Sequence, residues 1–311
     1  MNLSDISRLS EDQAREYFEQ VRWPNGRVCP HCGSVESNKL QGKAHRAGLY
    51  KCSGCGGQFT ATINTILEDS HLPIRTWLMA FSILCSAKKG ISALQLQRQL
   101  GLGSYRSAWH LAHRIRHAMA REPLKGLLGA GGGTVEVDEM FVGGKPRKPA
   151  NAPIPGDLSR RKGKPKKTAV VGLVERNGRA RAHVVPDITA PTLKDAIRAN
   201  VDRSARLMTD ENRSYIGIGR EFEGGHETVN HSENEYARGD ATTNTVEGFF
   251  GLFKRGVMGS FHHISEKHMN RYLNEFSFRW DLRKATDGER TVEAIKAAEG
   301  KRLMYRVPVG R

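Results

Sequence analysis

The chain changes between two rhythms of apolar and polar positions. Between residues 73 and 120 the apolar residues recur at helical spacing: Trp77, Phe81 and Leu84, then Leu94, Leu96 and Leu100, then Ala108, Ala112, Ile115 and Met119. Pro73 stands near a helix start, where its missing N–H costs nothing. Ser92 and Ser104 occupy N-cap positions, and Gly101-Leu102-Gly103 marks the turn between the second and third helices. From Thr134 strand-like and helix-like segments alternate. Residues 134–139 (TVEVDE), 168–175 (TAVVGLVE), 179–186 (RARAHVVP) and 204–209 (SARLMT) read as strands, with Asn177-Gly178 as a hairpin turn. Helical spacing returns at 192–201, 244–255 and 265–282. The pattern predicts an α/β chain whose order is strand, two-strand hairpin, helix, strand, then later helices. That order is what an RNase H-like core requires: a mixed sheet with flanking helices.

Charge narrows the choice of partner. The 311 residues carry 49 Lys and Arg against 33 Asp and Glu, a formal net charge of +16. An excess of that size attracts a polyanion, and nucleic acid is the default. The N-terminus is polar and the apolar run around 77–87 is too short to span a bilayer, so a cytoplasmic protein without a membrane partner is expected.

Four of the five cysteines form two C-x-x-C pairs, Cys29 with Cys32 and Cys52 with Cys55. Each pair lets two sulfurs reach one ion from a tight turn, and four thiolates suit tetrahedral Zn²⁺. One structural Zn²⁺ in a zinc ribbon is expected. Cys85 lies in an apolar helix and reads as a core thiol.

Acidic residues in strands point to a second kind of metal chemistry. Glu136 and Asp138 share one face of the first strand, Glu139 the other. A carboxylate on a core strand is costly unless it binds something. Asp138 on the first strand, Asp210 at the end of the fourth and Glu247 on a later helix can converge if the first and fourth strands run parallel and adjacent. Three carboxylates suit two Mg²⁺ (or Mn²⁺) ions, which stabilise the attacking and leaving oxygens of a phosphodiester. Asp138 would bridge both ions, Asp210 would bind one and Glu247 the other. Glu136 is expected to pair with a basic residue, and Glu275, in an Arg271–Glu275–Arg279 ladder, is a weak rival for catalysis.

Several basic groups are candidates for DNA contact. Arg106, His110, His113 and His117 fall on one face of the third helix, flanked by Arg114, as in a helix-turn-helix recognition helix. Residues 145–167 hold nine Lys or Arg, among them Lys145, Arg160, Arg161 and Lys162, with five Pro and one acid. Lys254, two turns beyond Glu247, would touch the DNA backbone; its neighbour Arg255, and His262 or His263 in the following loop, are further candidates for DNA contact.

These residues also carry a resemblance. Val-Asp138-Glu-x-x-x-Gly143-Gly144-Lys145, Thr-Asp210, and Asn244-Thr-Val-Glu247-Gly-Phe-Phe-Gly-Leu-Phe-Lys254-Arg255-Gly256 resemble the ISXO-type bacterial insertion-sequence transposases. So do Arg271-Tyr272-Leu-x-Glu275-Phe276-x-Phe278-Arg279 and the ribbon at the front. The resemblance implies a DDE core on an RNase H-like fold, with Asp138, Asp210, Glu247 and Lys254 in the catalytic positions. Its substrate would be double-stranded DNA, the terminal inverted repeats and a target, handled by at least a dimer on the bacterial nucleoid. The expected organisation is an N-terminal helix and zinc ribbon (1–70), a helix-turn-helix-like domain (71–121), a Gly-rich linker (122–133), the catalytic domain (134–285) and a tail (286–311). A non-catalytic DNA-binding regulator, or a nuclease or resolvase on the same fold, are the alternatives.

Overall fold

The computed structural model describes residues 1–42, 44–120, 126–143, 167–233, 235 and 237–305. The chain divides into two compact units, residues 1–123 with 274–311, and residues 124–273.

The first unit opens with α1 (Leu3–Ser7) and α2 (Glu11–Arg22), each started by a capping box, Asn2 with Asp5 and Ser10 with Gln13. A small antiparallel sheet follows: β1 (Ser37–Lys39), β2 (Tyr50–Cys52) and β3 (Gln58–Phe59). Trp23, Tyr50 and Phe59 pack against one another, with ring centroids 5.8 to 6.3 Å apart. Three helices come next, α3 (Ile74–Ser86), α4 (Ala93–Leu100) and α5 (Tyr105–Met119), the last two capped by Ser92 and Ser104 as expected. Gly101 ends α4 at φ +62°, the left-handed conformation that suits glycine at a helix C-terminus. The ribbon and these helices share one apolar core, in which Phe59 and Ile66 join Leu78, Phe81 and Leu84.

The second unit contains β4 (Thr134–Val142), β5 (Thr168–Glu175), β6 (Ala180–Val185), α6 (Ala190–Asn200), β7 (Arg206–Thr209), β8 (His226–Thr228) and α7 (Asn244–Gly256). Its five-stranded mixed sheet runs β6-β5-β4-β7-β8. β4, β5 and β6 are antiparallel neighbours, whereas β4 pairs parallel with β7 and β7 with β8. On one face Val135, Val137, Val171 and Leu173 bury against Leu193 and Ile197 of α6 and against Tyr215. α7 packs on β4 and β5. Its approach depends on Gly172, which faces Asp138 across the β4–β5 ladder. The space a Cβ would take there is filled by Phe250 and Val246 of α7.

Both connecting segments are packed where they are described. In the Gly-rich stretch before β4 these are residues 126–133. Leu128 is buried in the core of the second unit, donates its N–H to Asn200 O (2.9 Å) and accepts from Asp202 N (2.8 Å). The end of the chain is not only a tail. α8 (Glu266–Asp281) runs across the unit boundary, and α9 (Asp287–Lys296) follows it. Ala294 and Ile295 of α9 enter the same core as Trp77 and Phe81 of α3. Among the described residues, no helix is long and apolar enough to cross a membrane.

Candidate functional site

Two centres can be built from the residues upward. In the ribbon, the knuckle turns bring Cys29, Cys32, Cys52 and Cys55 together, with all four Sγ atoms within 4.8 Å of one another. The Cys55 backbone N–H donates to Cys52 Sγ (3.5 Å), and such donors hold that thiol down to about 6. This favours the thiolate, the form that binds metal. Cys85 is buried away from the set, as expected, and desolvation pushes its thiol up to about 12.

The second centre is acidic. The parallel register pairing Glu136 with Met208, extended by two residues, sets Asp210 beside Asp138. Burial, then repulsion from Asp210, Glu139 and Glu247, raises Asp138 to about 7, although the Glu139 N–H donates to its Oδ1 (2.7 Å). Burial also raises Asp210, with Glu139 and Glu211 adding repulsion and the Asn212 N–H (3.1 Å) opposing it. Glu247 lies on the first turn of α7 with 45% of its side chain exposed. Its Oε1 accepts from Thr243 Oγ1 (2.8 Å) and lies 3.3 Å from His231 Nε2. Asp138 thus feels both Asp210 and Glu247, but the three carboxylates are not drawn onto one point. Among the described residues, the four thiols are the one set of His, Cys, Asp or Glu close enough for a single ion. Two ions about 3.5–4 Å apart need a wider spread of ligands than one.

Neighbours hold this arrangement in place. Glu139 points away from Asp138, as its strand position predicts, and accepts from Asn212 Nδ2 and Tyr215 Oη. Glu136 pairs with Arg176, as expected of it (2.7 Å). Glu211, next to Asp210, accepts from Ser232 Oγ (2.6 Å) and from the backbone N–H of His231 (3.0 Å), contacts that depress it to about 2. His231, Thr243, Asn212 and Tyr215 were not singled out by sequence reasoning. They sit in a polar stretch with neither periodicity nor a metal-ligand spacing, and only the fold brings them to the carboxylates.

The remaining candidates separate. Lys254 and Arg255 are exposed on the last turn of α7, about 10 Å along the axis from Glu247. His262 is exposed with φ +58°. Arg106 of α5 is exposed, and His110 and His117 are half-buried. His113 and Arg114 are corrections to the expected recognition face, at 0% and 6% exposure. Arg114 donates to Glu68 O and lies over the Trp77 ring, 5.2 Å from its centroid. His113 stacks by Trp109 with centroids 4.0 Å apart. α5 is covered on more than its apolar stripe, because long cationic side chains pack their stems against neighbours. Glu275 is no catalytic rival: it is fully buried between Arg116 and Arg279, which hold it ionised despite desolvation. Lys145, Arg160, Arg161 and Lys162 lie outside the described residues.

Two family models and a curated relative match the chain. Residues 130–281 match the ISXO2-like transposase domain and residues 9–58 the transposase zinc-ribbon domain. An uncharacterized protein in transposable element ISH50 of Halobacterium salinarum is 26% identical over 283 residues, covering 88% of this chain and 92% of the relative. A transposase zinc-ribbon match thus stands ahead of an ISXO2-like transposase-domain match in this chain.

Proposed function

We propose that the chain is the transposase of an insertion sequence, cutting and joining DNA at the acidic centre of its second unit. The observation that carries this reading is the placing of Asp138, largely buried, next to Asp210, Glu139 and Glu247, where burial first and then their repulsion raise it to about 7. Burying like charges together is unfavourable unless a cation neutralises them. The sheet order, three antiparallel strands followed by two parallel ones, supports an RNase H-like core.

The donor set fits Mg²⁺ or Mn²⁺, hard ions that take carboxylate oxygens. Asp138, Asp210 and Glu247 would hold them. When bound, the ions supply charge stabilisation to the attacking and leaving oxygens of the phosphodiester. The chain's own groups do the rest. Asp138 must be ionised to serve, so it sheds its proton on loading. Thr243 holds one oxygen of Glu247 and leaves the other available. Lys254 and Arg255 offer exposed cations to the DNA backbone beyond Glu247. In the first step a water oxygen bonds to phosphorus and the P–O3′ bond breaks, freeing a 3′-OH. In the second that hydroxyl attacks a target phosphate and displaces its 3′ oxygen. Arg106, His110, His117 and His262 are proposed as further DNA contacts, and the four ribbon thiols as ligands of one structural Zn²⁺. Two DNA ends must meet, so at least a dimer on DNA is proposed.

The test is an in vitro reaction on donor DNA carrying the element's own ends, with Mg²⁺ or Mn²⁺, comparing wild type with Glu247→Gln. Metal-dependent cleavage and joining, lost in the variant, is the expected result. Cleavage without joining would identify a nuclease instead. DNA binding by a wild type that never cuts would sink the catalytic reading.

A further inference from the structure

We propose that the acidic strand segment around Asp138 is a two-sided bracket, in which Glu136 positions the helix bearing Glu247 and Glu139 positions the loop bearing Asp210. The inference rests on the reading of those carboxylates as catalytic.

Glu136 is completely buried, and both its oxygens are occupied. Oε2 accepts from the backbone N–H groups of Thr245 (2.7 Å) and Val246 (3.1 Å), while Oε1 accepts from Thr245 Oγ1 (2.9 Å) and Arg176 Nε (2.7 Å). These amides belong to the first turn of α7, whose N–H groups have no partner within the helix. Locally, Thr242 Oγ1 accepts from the Asn244 N–H (3.1 Å), which leaves the amides of Thr245 and Val246 to Glu136. Thr243, at the N-cap position, makes no capping bond, and its hydroxyl is turned to Glu247. The cap is therefore delivered from β4, more than one hundred residues earlier in sequence. Arg176 completes the attachment by donating to Thr242 O (3.0 Å). A carboxylate at a helix N-terminus also meets the positive end of the helix dipole. Glu247 follows Val246 directly, so its place relative to Asp138 is set by this joint.

Glu139 does the same on the opposite face. It takes the Asn212 side-chain amide on one oxygen and the Tyr215 hydroxyl on the other. Tyr215 is fully buried in the core, which gives the joint a rigid base. Asn212 in turn donates its backbone N–H to Asp210 (3.1 Å). Neither Glu136 nor Glu139 needs to touch an ion. Each spans from the strand of Asp138 to the segment of one other carboxylate, as groups behind metal ligands commonly do. Apolar side chains could join the same elements, but they would not fix position with directional bonds.

The experiment compares wild type with Thr245→Val and Tyr215→Phe, which each delete one hydroxyl donated to a bracket carboxylate, and with Glu136→Gln and Glu139→Gln. Amide hydrogen exchange reads the joints, and Mn²⁺ binding to the protein alone, followed by the resonance of free Mn²⁺, reads their consequence. The expected result is faster exchange in the first turn of α7 for the Glu136 and Thr245 variants, and at 211–215 for the other pair. Mn²⁺ binding should weaken by about 10–100-fold in the Gln variants, and less in the hydroxyl deletions. Faster exchange with wild-type Mn²⁺ affinity would reduce the bracket to a structural joint and overturn the proposal. Unchanged exchange at both joints would overturn it as well. Wild-type Mn²⁺ binding that survives Asp138→Asn would count against the catalytic reading itself, while exchange would continue to judge the joints separately.

Discussion

Gly172→Ala is a small change that should move Glu247, a proposed catalytic carboxylate, without touching it. The residue faces Asp138 across the β4–β5 ladder, and the added Cβ would lie 2.5 Å from Phe250 Cζ, 2.7 Å from Cε1 and 3.3 Å from Val246 Cγ2. Carbon atoms pack at about 3.5–4.0 Å, so the ring must retreat by roughly 1 Å or more. Phe250 is buried at 2% exposure beside Phe249, at a centroid distance of 5.9 Å, so α7 is expected to yield with it. Overpacking of this kind costs about 1–3 kcal/mol. At about 2–4 °C per kcal/mol for a domain of this size, Tm should fall by roughly 2–12 °C. The larger effect is on rate. Glu247 precedes Phe250 by less than one turn, and a misplacement of about 1 Å costs on the order of 100-fold. Single-turnover cleavage of a donor end at saturating Mg²⁺, measured with a thermal melt, reads both quantities. The double variant Gly172→Ala, Phe250→Leu removes the ring and should recover part of the rate. A Gly172→Ala protein with wild-type Tm and rate would refute the argument. So would a lowered Tm with an unchanged rate, since helix position would then not limit the chemistry.

Other outcomes follow from the same contacts. Asp138 is raised from 3.8 to about 7, so the stability it contributes to the metal-free protein is full below about pH 4 and lost as pH rises through 7. Asp138→Asn should therefore raise Tm in chelator at pH 8 but not at pH 4, while abolishing cleavage; an equal shift at both pH values would contradict the assignment. Removing Zn²⁺ with a chelator, or replacing Cys52 by Ser, should unfold the ribbon, seen as loss of amide protection at β2 and β3 and release of about one Zn²⁺ per chain. Glu275→Gln leaves Arg116 and Arg279 buried without their counterion and should cost roughly 3–5 kcal/mol in chemical denaturation. A stable but inactive Glu275→Gln protein would restore Glu275 as a catalytic rival. Lys254→Ala should weaken DNA binding and flatten the slope of log affinity against log salt by about 1, measured by titration at several salt concentrations.

Local patterning determined a good deal of this protein. Alternation in TVEVDE marked β4, and the short apolar run TAVVGLVE marked β5, a strand buried on both faces. Two C-x-x-C pairs marked the ribbon, because ligand spacing within a knuckle is set by a few bonds. The order of Asp138, Asp210 and Glu247 along strand, strand end and helix was legible for the same reason: each stands at a readable place in its own element. What the tertiary structure decided is which faces meet. Nothing local says that Glu136 caps a helix starting at Asn244, that Tyr215 rests on Glu139, or that His231 arrives beside Glu247. These pairs join segments far apart in sequence, and no periodicity links them. The same limit explains α5. Its spacing placed Arg106, His110 and His113 on one face, but spacing cannot say whether a second face is covered, and the packing of Arg114 and His113 against Trp77 and Trp109 closed it. Side-chain period is a property of one element, whereas burial and partner choice are properties of the pair of elements that come together.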